Sequence, residues 1–283
     1  MNFTSDNAGG VHPRIMAALS AANDGYVPSY GGDRITQAAQ ELLREVFDAP
    51  EAAIHFVPTG TAANALSLSL LTPCWGKVFC HQDAHIQTSE ANAPEFFTGG
   101  AKLVPVAGAA GRITAEGLAE ALFLQGRDAV HAGQNTALSL TNATEWGTVY
   151  SVDEVTALTA IARDQGLSCH MDGARFANAL VALDVAPADL TWQAGIDVLS
   201  LGGTKNGCMG VEAVMIFNPA LSEEFEFRRK RAGALVSKHR FLAAQLLAWL
   251  EGDLWLQLAR HANAMAHELA LGLARLPGVR IDQ

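Results

Sequence analysis

Short runs of apolar residues alternate along this chain with stretches of helical spacing, and this alternation restricts the possible folds more than any other feature. Predicted helices over 60–71 and 176–183 follow the first and the fifth of these runs. Such an alternation predicts an α/β domain with a mainly parallel sheet flanked by helices. The predicted strands are 53–57, 77–80, 102–106, 136–141, 167–171, 196–201 and 211–217.

A further helix is predicted to begin after Ser151, where the sequence has a capping box. The Ser151 side chain can accept from the backbone N–H of Glu154, and the Glu154 side chain can accept from that of Ser151. The residues that continue the helical spacing are Val155, Leu158, Thr159 and Ala162.

The chain changes character after residue 218, where the regular alternation ends. Residues 241–276 are rich in apolar side chains, contain few helix breakers and are followed by a proline, so the pattern predicts one long helix. Residues 278–281 are typical of a strand that is just beginning. We therefore expect a large domain over 1–238, and a connecting helix with the start of a small α/β domain over 239–283. Because a domain that stops at its first strand is incomplete, we expect the sequence to be a fragment.

The composition is that of a globular, acidic protein. The chain has 283 residues, of which 49 % are hydrophobic and 17 % charged, and its formal net charge is −10. This is enough apolar material for a large core, and it is not a disordered composition. An acidic chain without a basic stripe argues against nucleic acid and anionic membranes as partners. The basic cluster at 228–231, considered by itself, is typical of a solvated helix face.

The cysteines indicate a reducing compartment. None of the four forms a C-x-x-C pair, and three lie beside apolar residues, which is typical of buried free thiols. The N-terminus lacks the charged and apolar blocks of a signal peptide, and no apolar run reaches the length that spans a bilayer. We therefore expect a cytoplasmic protein.

The first segment with potential chemistry is 59–64, which directly follows the predicted strand 53–57 and opens a helix. Gly60 would let the backbone approach a ligand, and Thr61 supplies a hydroxyl. The free N–H groups and the positive dipole end of a helix N-terminus suit a phosphate. Considered alone, the segment is also consistent with an ordinary capped helix start, which is a more common feature.

Two further segments place reactive residues after predicted strands, where ligands bind in open α/β sheets. Asp172 follows the strand 167–171 and could pair with a heterocycle nitrogen or a metal, or could only cap the next helix. Lys205 lies in the glycine-rich turn 202–207 and could be a buried nucleophile or a solvated loop lysine. A phosphate-binding loop of the Walker type is excluded, because its G-x-x-x-x-G-K-[ST] spacing is absent.

Two histidines, His81 and His85, follow the strand 77–80 at a spacing that zinc sites use. The glutamate of an H-E-x-x-H motif is absent and no third ligand lies nearby in sequence, so we expect no metal site. A single histidine that stacks on a ring, or acts as a base, fits the pattern better.

Together and in this order, the segments resemble the low-specificity threonine aldolases, in the β-eliminating lyase group of fold type I pyridoxal 5'-phosphate (PLP) enzymes. The likeness is strongest to the bacterial phenylserine aldolase branch. It implies a mainly parallel seven-stranded sheet, PLP as cofactor, an amino-acid substrate, and a homodimer or homotetramer with shared active sites. The stretches that carry it are 5–7, 57–64, 93–97, 170–179, 203–207 and 228–233.

The resemblance also implies roles for individual residues. Lys205 would bind PLP as a Schiff base, and Asp172 would pair with the protonated ring nitrogen. His85 would stack on the ring and is a candidate base for the substrate hydroxyl. At the cofactor phosphate the resemblance implies Gly60, Thr61 and Lys230. It implies His131 near the substrate hydroxyl and Tyr30 elsewhere in the active site. Ser5 and Arg175 would bind the substrate carboxylate, and Arg175 would also lie beside the cofactor.

The implied reaction is the cleavage of a β-hydroxy-α-amino acid, such as threonine, allo-threonine or phenylserine, into glycine and an aldehyde. The family usually has an E-N-T-H-like segment where this chain has 141–145, and this departure favours the phenylserine-type branch. β-Elimination and transamination need the same lysine and aspartate and stay open, as does a PLP-binding fragment without turnover. A nucleotide-binding dehydrogenase is disfavoured, because no G-x-G-x-x-G motif is present.

Overall fold

A computed structural model of the protein describes residues 4–126 and 130–281. The strands in these ranges are β1 (Ala53–Val57), β2 (Gly76–His81), β3 (Lys102–Val106), β4 (Gln134–Thr141), β5 (Ser168–Gly173), β6 (Val198–Gly202) and β7 (Glu212–Ile216). They form one sheet in the order β1-β7-β6-β5-β4-β2-β3. Only β7 runs antiparallel to its neighbours within the described sheet. The predicted α/β fold with a mainly parallel seven-stranded sheet is therefore confirmed.

Helices cover both faces of this sheet. Along β2, Val78 and Cys80 belong to one apolar cluster and Phe79 belongs to the other, so neither face is left to solvent. The α-helices of the described residues are α1 (Pro13–Ala21), α2 (Arg34–Val46), α3 (Gly60–Leu71), α4 (His85–Thr88), α5 (Ala93–Thr98), α6 (Ala115–Gln125), α7 (Val152–Asp164), α8 (Phe176–Leu183), α9 (Ser222–Arg231), α10 (Arg240–Leu250) and α11 (Leu254–Leu273).

Local sequence signals explain several of these boundaries. The capping box of Ser151 and Glu154 is present at the start of α7, with both side-chain-to-backbone hydrogen bonds formed. Helix α3 begins at Gly60, because the Thr59 side chain accepts from the backbone N–H of Ala62 at 3.1 Å. The predicted helices 60–71 and 176–183 coincide with α3 and α8.

The prediction of one long helix over 241–276 is wrong. The helical stretch is divided into α10 and α11 by a turn in which Gly252 and Asp253 have φ angles of 62° and 55°. A left-handed backbone cannot continue a right-handed helix, so the chain changes direction there. Helix α10 packs against α2, and α11 packs against α8. Residues 278–281 form no strand, and the domain division at residue 239 stays a prediction.

The free cysteines follow the sequence expectation. Cys80, Cys169 and Cys208 are buried thiols and Cys74 is exposed. In the part of the chain that the structure describes, none of the helices has both the length and the apolar character needed to cross a bilayer.

Candidate active site

A cavity of about 370 Å³ lies at the carboxyl edge of the parallel strands. Residues that follow five different strands line it, as is typical of ligand sites in open α/β sheets. The lining residues that carry the main functional groups are Gly60, Thr61, His85, Asp172, Arg175 and Lys205. The structure thus brings six of the predicted site residues together, although they are far apart in sequence.

The N-terminus of α3 forms one side of the cavity. Thr59 caps the helix, and its carbonyl accepts from the N–H of Ala63. The N–H groups of Gly60 and Thr61 have no hydrogen-bond partner among residues 4–126 and 130–281. A Cβ atom built on Gly60 would meet no atom within 4 Å, so the space beside these N–H groups is open. This end of α3 can therefore accept an anion such as a phosphate.

Asp172 is held rigidly at the end of β5. The residue is only 4 % exposed. Its Oδ1 accepts from the backbone N–H of Ala174 at 3.0 Å, and its Oδ2 accepts from Nδ2 of Asn64 at 2.8 Å. Each carboxylate oxygen keeps a free lone pair, so Asp172 can accept from a protonated heterocycle nitrogen in the cavity.

His85 begins α4 and is held by two glutamates. Its backbone N–H donates to Oε1 of Glu145 at 2.7 Å, and its ring Nδ1 lies 2.7 Å from Oε1 of Glu90. The hydrogen bond with Glu90 raises the pKa of His85, although burial opposes this shift. Burial raises the pKa of Glu90, while its hydrogen bonds with His85 and Asn64 lower it. His85 is therefore positioned and electrostatically tuned for proton transfer.

Lys205 lies in a short helical turn after β6 and lines the cavity. Its side chain makes no hydrogen bond or ion pair with the residues that the structure describes. The backbone of the turn is held by Glu212, because the backbone N–H of Gly203 donates to Oε2 of Glu212 at 2.9 Å. Burial raises the pKa of Glu212 to about 7. The amine of Lys205 is thus left free for a ligand, on a backbone that is held in place.

The N-terminal segment reaches the same cavity. Nε of Arg175 donates to Oδ2 of Asp6 at 2.6 Å, and Asn7 lines the cavity. Ser5 Oγ accepts from the backbone N–H of Asn7 at 3.1 Å, so Ser5 caps the turn that carries both of these residues. Ser5 itself does not line the cavity, so its role at the substrate carboxylate stays a prediction, and Asp6 is a partner of Arg175 that the sequence analysis missed.

Four predicted residues, one of which is Ser5, do not line the cavity of their own chain. His131 precedes β4 and so lies at the amino edge of the sheet, opposite the carboxyl edge where Asp172 and Lys205 are found. Tyr30 and Lys230 contact each other, with the Lys230 ammonium 4.7 Å from the Tyr30 ring centroid, and neither lines the cavity. Helix α9 packs against α3 through its other face, which directs Lys230 to the surface.

The two histidines of the segment 81–85 serve different purposes. His81 Nε2 donates to the carbonyl of Gly108 at 3.1 Å, and its Nδ1 accepts from the backbone N–H of Asp83 at 3.1 Å. Both ring nitrogens of His81 are thus used within the fold. Only His85 lines the cavity.

Four further polar residues at the site were missed by sequence reasoning, and two of them lie in a sequence context that could have marked them. Asn64 lies inside the apolar helix α3, and Glu212 begins the apolar strand β7. A polar residue inside a buried apolar element needs a partner, which could have marked both. Glu90 and Glu145 lie in loops without such a pattern. The four residues are Asn64, Glu90, Glu145 and Glu212.

The donor set fits PLP. The open helix N-terminus suits its phosphate, the buried carboxylate of Asp172 suits its ring nitrogen, and the free amine of Lys205 suits its aldehyde carbon. The cavity volume is within the range of about 300–1,000 Å³ that small-molecule sites have. The fold and this donor set define the class of protein as a fold type I PLP-dependent enzyme.

Comparisons with known proteins agree with this class. The chain belongs to the β-eliminating lyase family, whose model matches residues 2–283. The low-specificity L-threonine aldolase of Pseudomonas aeruginosa is 43 % identical over 279 residues, which are 99 % of this chain and 80 % of the relative. That of Saccharomyces cerevisiae is 26 % identical over 259 residues, 90 % of this chain and 64 % of the relative.

The solved structures give the same result. A threonine aldolase of Leishmania major superposes with a TM-score of 0.90 at 31 % identity, covering 96 % of this chain and 78 % of that one. A structure described as a putative L-allo-threonine aldolase of Listeria monocytogenes has a TM-score of 0.74 at 17 % identity, covers 95 % of this chain and 73 % of that one, and supports the fold alone. The resemblance to threonine aldolases and the expectation of PLP as cofactor are confirmed.

Proposed function

We propose that this protein is a PLP-dependent aldolase that cleaves threonine and related β-hydroxy-α-amino acids to glycine and an aldehyde. The observation that carries the proposal is the convergence of Lys205, Asp172 and His85 on one cavity, in a chain that is 43 % identical to a low-specificity L-threonine aldolase. When bound, PLP accepts the electron pair of the breaking Cα–Cβ bond into its ring. The chain's own residues hold the cofactor, orient the substrate and move protons.

Four residues would hold the cofactor. Lys205 would bond to its aldehyde carbon, and Asp172 would keep its ring nitrogen protonated through a buried charge-assisted hydrogen bond. Gly60 and Thr61 would bind its phosphate through the free N–H groups at the start of α3. The buried, hydrogen-bonded carboxylate of Asp172 supports this assignment, because its orientation is fixed before any ligand binds.

Two residues would orient the substrate. The Arg175 guanidinium would bind the substrate carboxylate, with Ser5 as a second donor beside it. In the free protein Arg175 pairs with Asp6, and both side chains are about one third exposed, so a substrate carboxylate can compete for the guanidinium. Fixing the carboxylate would set the orientation of the substrate at Cα and so select which of its bonds breaks.

His85 would take the proton of the substrate β-hydroxyl. The described residues leave its Nε2 without a hydrogen-bond partner, and the ring lines the cavity. Removing this proton turns the hydroxyl carbon into the carbonyl carbon of the leaving aldehyde. His131 was the other candidate for this role, and within one chain it lies at the opposite edge of the sheet.

The aldehyde partner is the finer part of the proposal. We propose that phenylserine is a substrate in addition to threonine, because Thr141 and Glu145 line the cavity in the segment that departs from the family's usual pattern. Competition between L-threonine, L-allo-threonine and phenylserine in one assay would rank the three.

We also propose that the protein is a cytoplasmic homodimer or homotetramer. The three buried free thiols support a reducing compartment. The exposed pair of Tyr30 and Lys230 supports a shared site, since a neighbouring subunit is the remaining place where these two residues can meet a cofactor. Sedimentation of wild type and of Lys230→Ala, with and without PLP, would test this assembly.

The function is tested by loading the purified protein with PLP, recording its visible spectrum, and adding L-threonine while aldehyde and glycine are measured. The expected result is the absorbance band of lysine-bound PLP and equal amounts of the two products. Ammonia with a keto acid would instead assign β-elimination or transamination. A stable band without any turnover would contradict the aldolase proposal and leave a PLP-binding protein.

A further inference from the structure

A buried glutamate for which the proposed reaction has no role lies directly behind His85. The Glu90 side chain is 0 % exposed, and carboxylates are almost never buried without a specific partner. Its Oε1 lies 2.7 Å from Nδ1 of His85 and accepts from Nδ2 of Asn64 at 2.9 Å. Glu90 is therefore bound to the ring that takes the substrate's proton.

We propose that Glu90 is a positioning residue that fixes the tautomer, the orientation and the basicity of the His85 ring. This inference rests on the proposed function, in which His85 Nε2 is the proton acceptor. Glu90 does not line the cavity, so it can act on the reaction only through the two side chains that it contacts, His85 and Asn64.

The hydrogen-bond geometry determines which ring nitrogen faces the cavity as a base. An ionised carboxylate only accepts, so Nδ1 of His85 must donate to Oε1 of Glu90. A neutral imidazole has one N–H, and Nε2 is therefore left with a free lone pair. Within the described parts of the chain, Nε2 has no hydrogen-bond partner, and the ring is 37 % exposed at the cavity. An aspartate orients the histidine of a serine-protease triad in the same way.

The charges around His85 make Glu90 the main electrostatic influence on the ring. The hydrogen bond and the charge of Glu90 raise the pKa of His85, and the more distant Asp172 carboxylate raises it further. Burial and the Lys205 ammonium lower it. Glu145 accepts a hydrogen bond from the backbone N–H of His85 and not from its ring. Removing the charge of Glu90 should therefore lower the pH at which the ring loses its proton.

Asn64 joins this pair to the cofactor side of the cavity. Its Nδ2 donates both to Glu90 Oε1 at 2.9 Å and to Asp172 Oδ2 at 2.8 Å, which uses both hydrogens of the amide. The amide orientation is fixed, because the opposite orientation would place Oδ1 against two carboxylates. The Asn64 side chain thus fixes the distance between Glu90, which supports the base His85, and Asp172, which would pair with the ring nitrogen.

Glu90→Gln separates charge from geometry. Its side-chain oxygen can still accept from Nδ1 of His85, while the negative charge is removed. We expect the acid limb of the pH profile of kcat for threonine cleavage to move down by about one unit, because an adjacent opposite charge typically raises a pKa by that much or more. An acid limb that coincides with that of the wild type would overturn the proposal.

Glu90→Ala removes the geometry as well. Loss of the partner that orients a metal-ligating histidine typically costs roughly 10- to 100-fold, and we expect a loss of this order in kcat, with little change in the KM for threonine. The visible band of bound PLP should remain, which excludes loss of the cofactor as the cause. Glu95→Gln is the matched control. It removes a glutamate charge from the neighbouring helix α5, and Glu95 has no hydrogen bond to His85. The acid limb of this variant should coincide with that of the wild type.

A measurement without turnover keeps this inference separate from the proposed function. In PLP-loaded protein with ¹⁵N-labelled histidine, and with His85 assigned by His85→Asn, the ring should be the Nδ1–H tautomer and should titrate at higher pH than in Glu90→Gln. If threonine is not cleaved but this difference is found, the proposed function fails and the role of Glu90 stands. If threonine is cleaved and the two proteins titrate alike, the role of Glu90 is overturned.

Discussion

The cavity has two walls that are built differently. The histidine wall consists of Asn64, His85 and Asp172, which line the cavity, and of Glu90, which lies behind them and is hydrogen-bonded to His85 and Asn64. The lysine wall consists of Thr204 and Lys205 in the turn after β6, together with Arg175 after β5 and Glu212 at the start of β7. On the histidine wall each side chain that lines the cavity is hydrogen-bonded to a neighbouring side chain. On the lysine wall the reactive amine is held only through its backbone.

Both walls contain a buried glutamate, and the two glutamates do different things. Glu90 contacts the functional ring of His85 itself. Glu212 instead accepts from the backbone N–H of Gly203 and leaves the side chain of Lys205 free. A base must keep one orientation throughout a reaction, whereas the lysine must bond to the cofactor and release it in each turnover. The fixed ring of His85 and the free amine of Lys205 match these two requirements.

The largest effect is expected from Lys205→Ala. Lys205 is the only lysine of the described chain that lines the cavity, so no other described amine can replace it. The visible band of lysine-bound PLP should disappear, and aldehyde release should fall to the level of the assay background. The far-ultraviolet circular dichroism spectrum should match that of the wild type. Full turnover by the variant would remove Lys205 from its role and with it the distinction between the walls.

Asp172→Asn should have the next largest effect. Its carboxylate is 4 % exposed and would face a protonated ring nitrogen, and breaking a buried charge pair costs about 3–5 kcal/mol. In kcat/KM for threonine this corresponds to roughly 10²-fold or more. Steady-state kinetics at saturating PLP would measure it. A tenfold loss or less would mean that Asn64 and Glu90, rather than Asp172, dominate the histidine wall.

Arg175→Ala should have a smaller effect that is concentrated in KM. A hydrogen bond to a charged group contributes about 1.5–3 kcal/mol, so kcat/KM for threonine should fall roughly 10- to 100-fold. Asp6→Asn is the matched control, because it removes the partner that Arg175 has in the free protein. An exposed ion pair contributes about 0–1 kcal/mol, so the control should change KM by less than about fivefold. Similar losses in both variants would show that the pair itself, and not the arginine, is needed.

The fold and the reactive residues were predictable, because they follow from short-range patterns. Alternating strands and helices predict the sheet, and Gly60, Asp172 and Lys205 each come directly after a predicted strand. The carboxyl ends of parallel strands meet at one edge, so residues in these positions converge. The resemblance to a known family then supplied the roles that position alone leaves open.

The supporting residues were not predictable, because nothing in their local sequence shows what they contact. Glu90 and Asn64 are 26 positions apart in the chain, and Asn64 and Asp172 are 108 apart, yet each pair is hydrogen-bonded. The break between α10 and α11 was missed for a related reason. Gly252 is a residue that many helices tolerate, and nothing in its local sequence shows that its φ angle is positive.

The protonation of Glu212 gives the lysine wall a pH dependence. Burial raises the pKa of Glu212 from 4.5 to about 7, with smaller opposing contributions from its hydrogen bonds to Thr204 and Gly203. A carboxyl with a raised pKa keeps its proton in the folded state at a pH where the unfolded chain has already lost it. Its contribution to stability is therefore complete below pH 4.5 and is lost as the pH rises to about 7.

Glu212→Gln should remove this pH dependence, because its amide is neutral throughout. As the pH rises from 4.5 to about 7, the free energy of unfolding of the wild type should fall relative to that of the variant, by an amount on the order of 3 kcal/mol. Urea unfolding of both proteins at several pH values would measure the difference, and Glu223→Gln on the exposed side of α9 is the control. A difference that is flat with pH would mean that Glu212 is ionised when folded, and the two walls would then both depend on a charged glutamate.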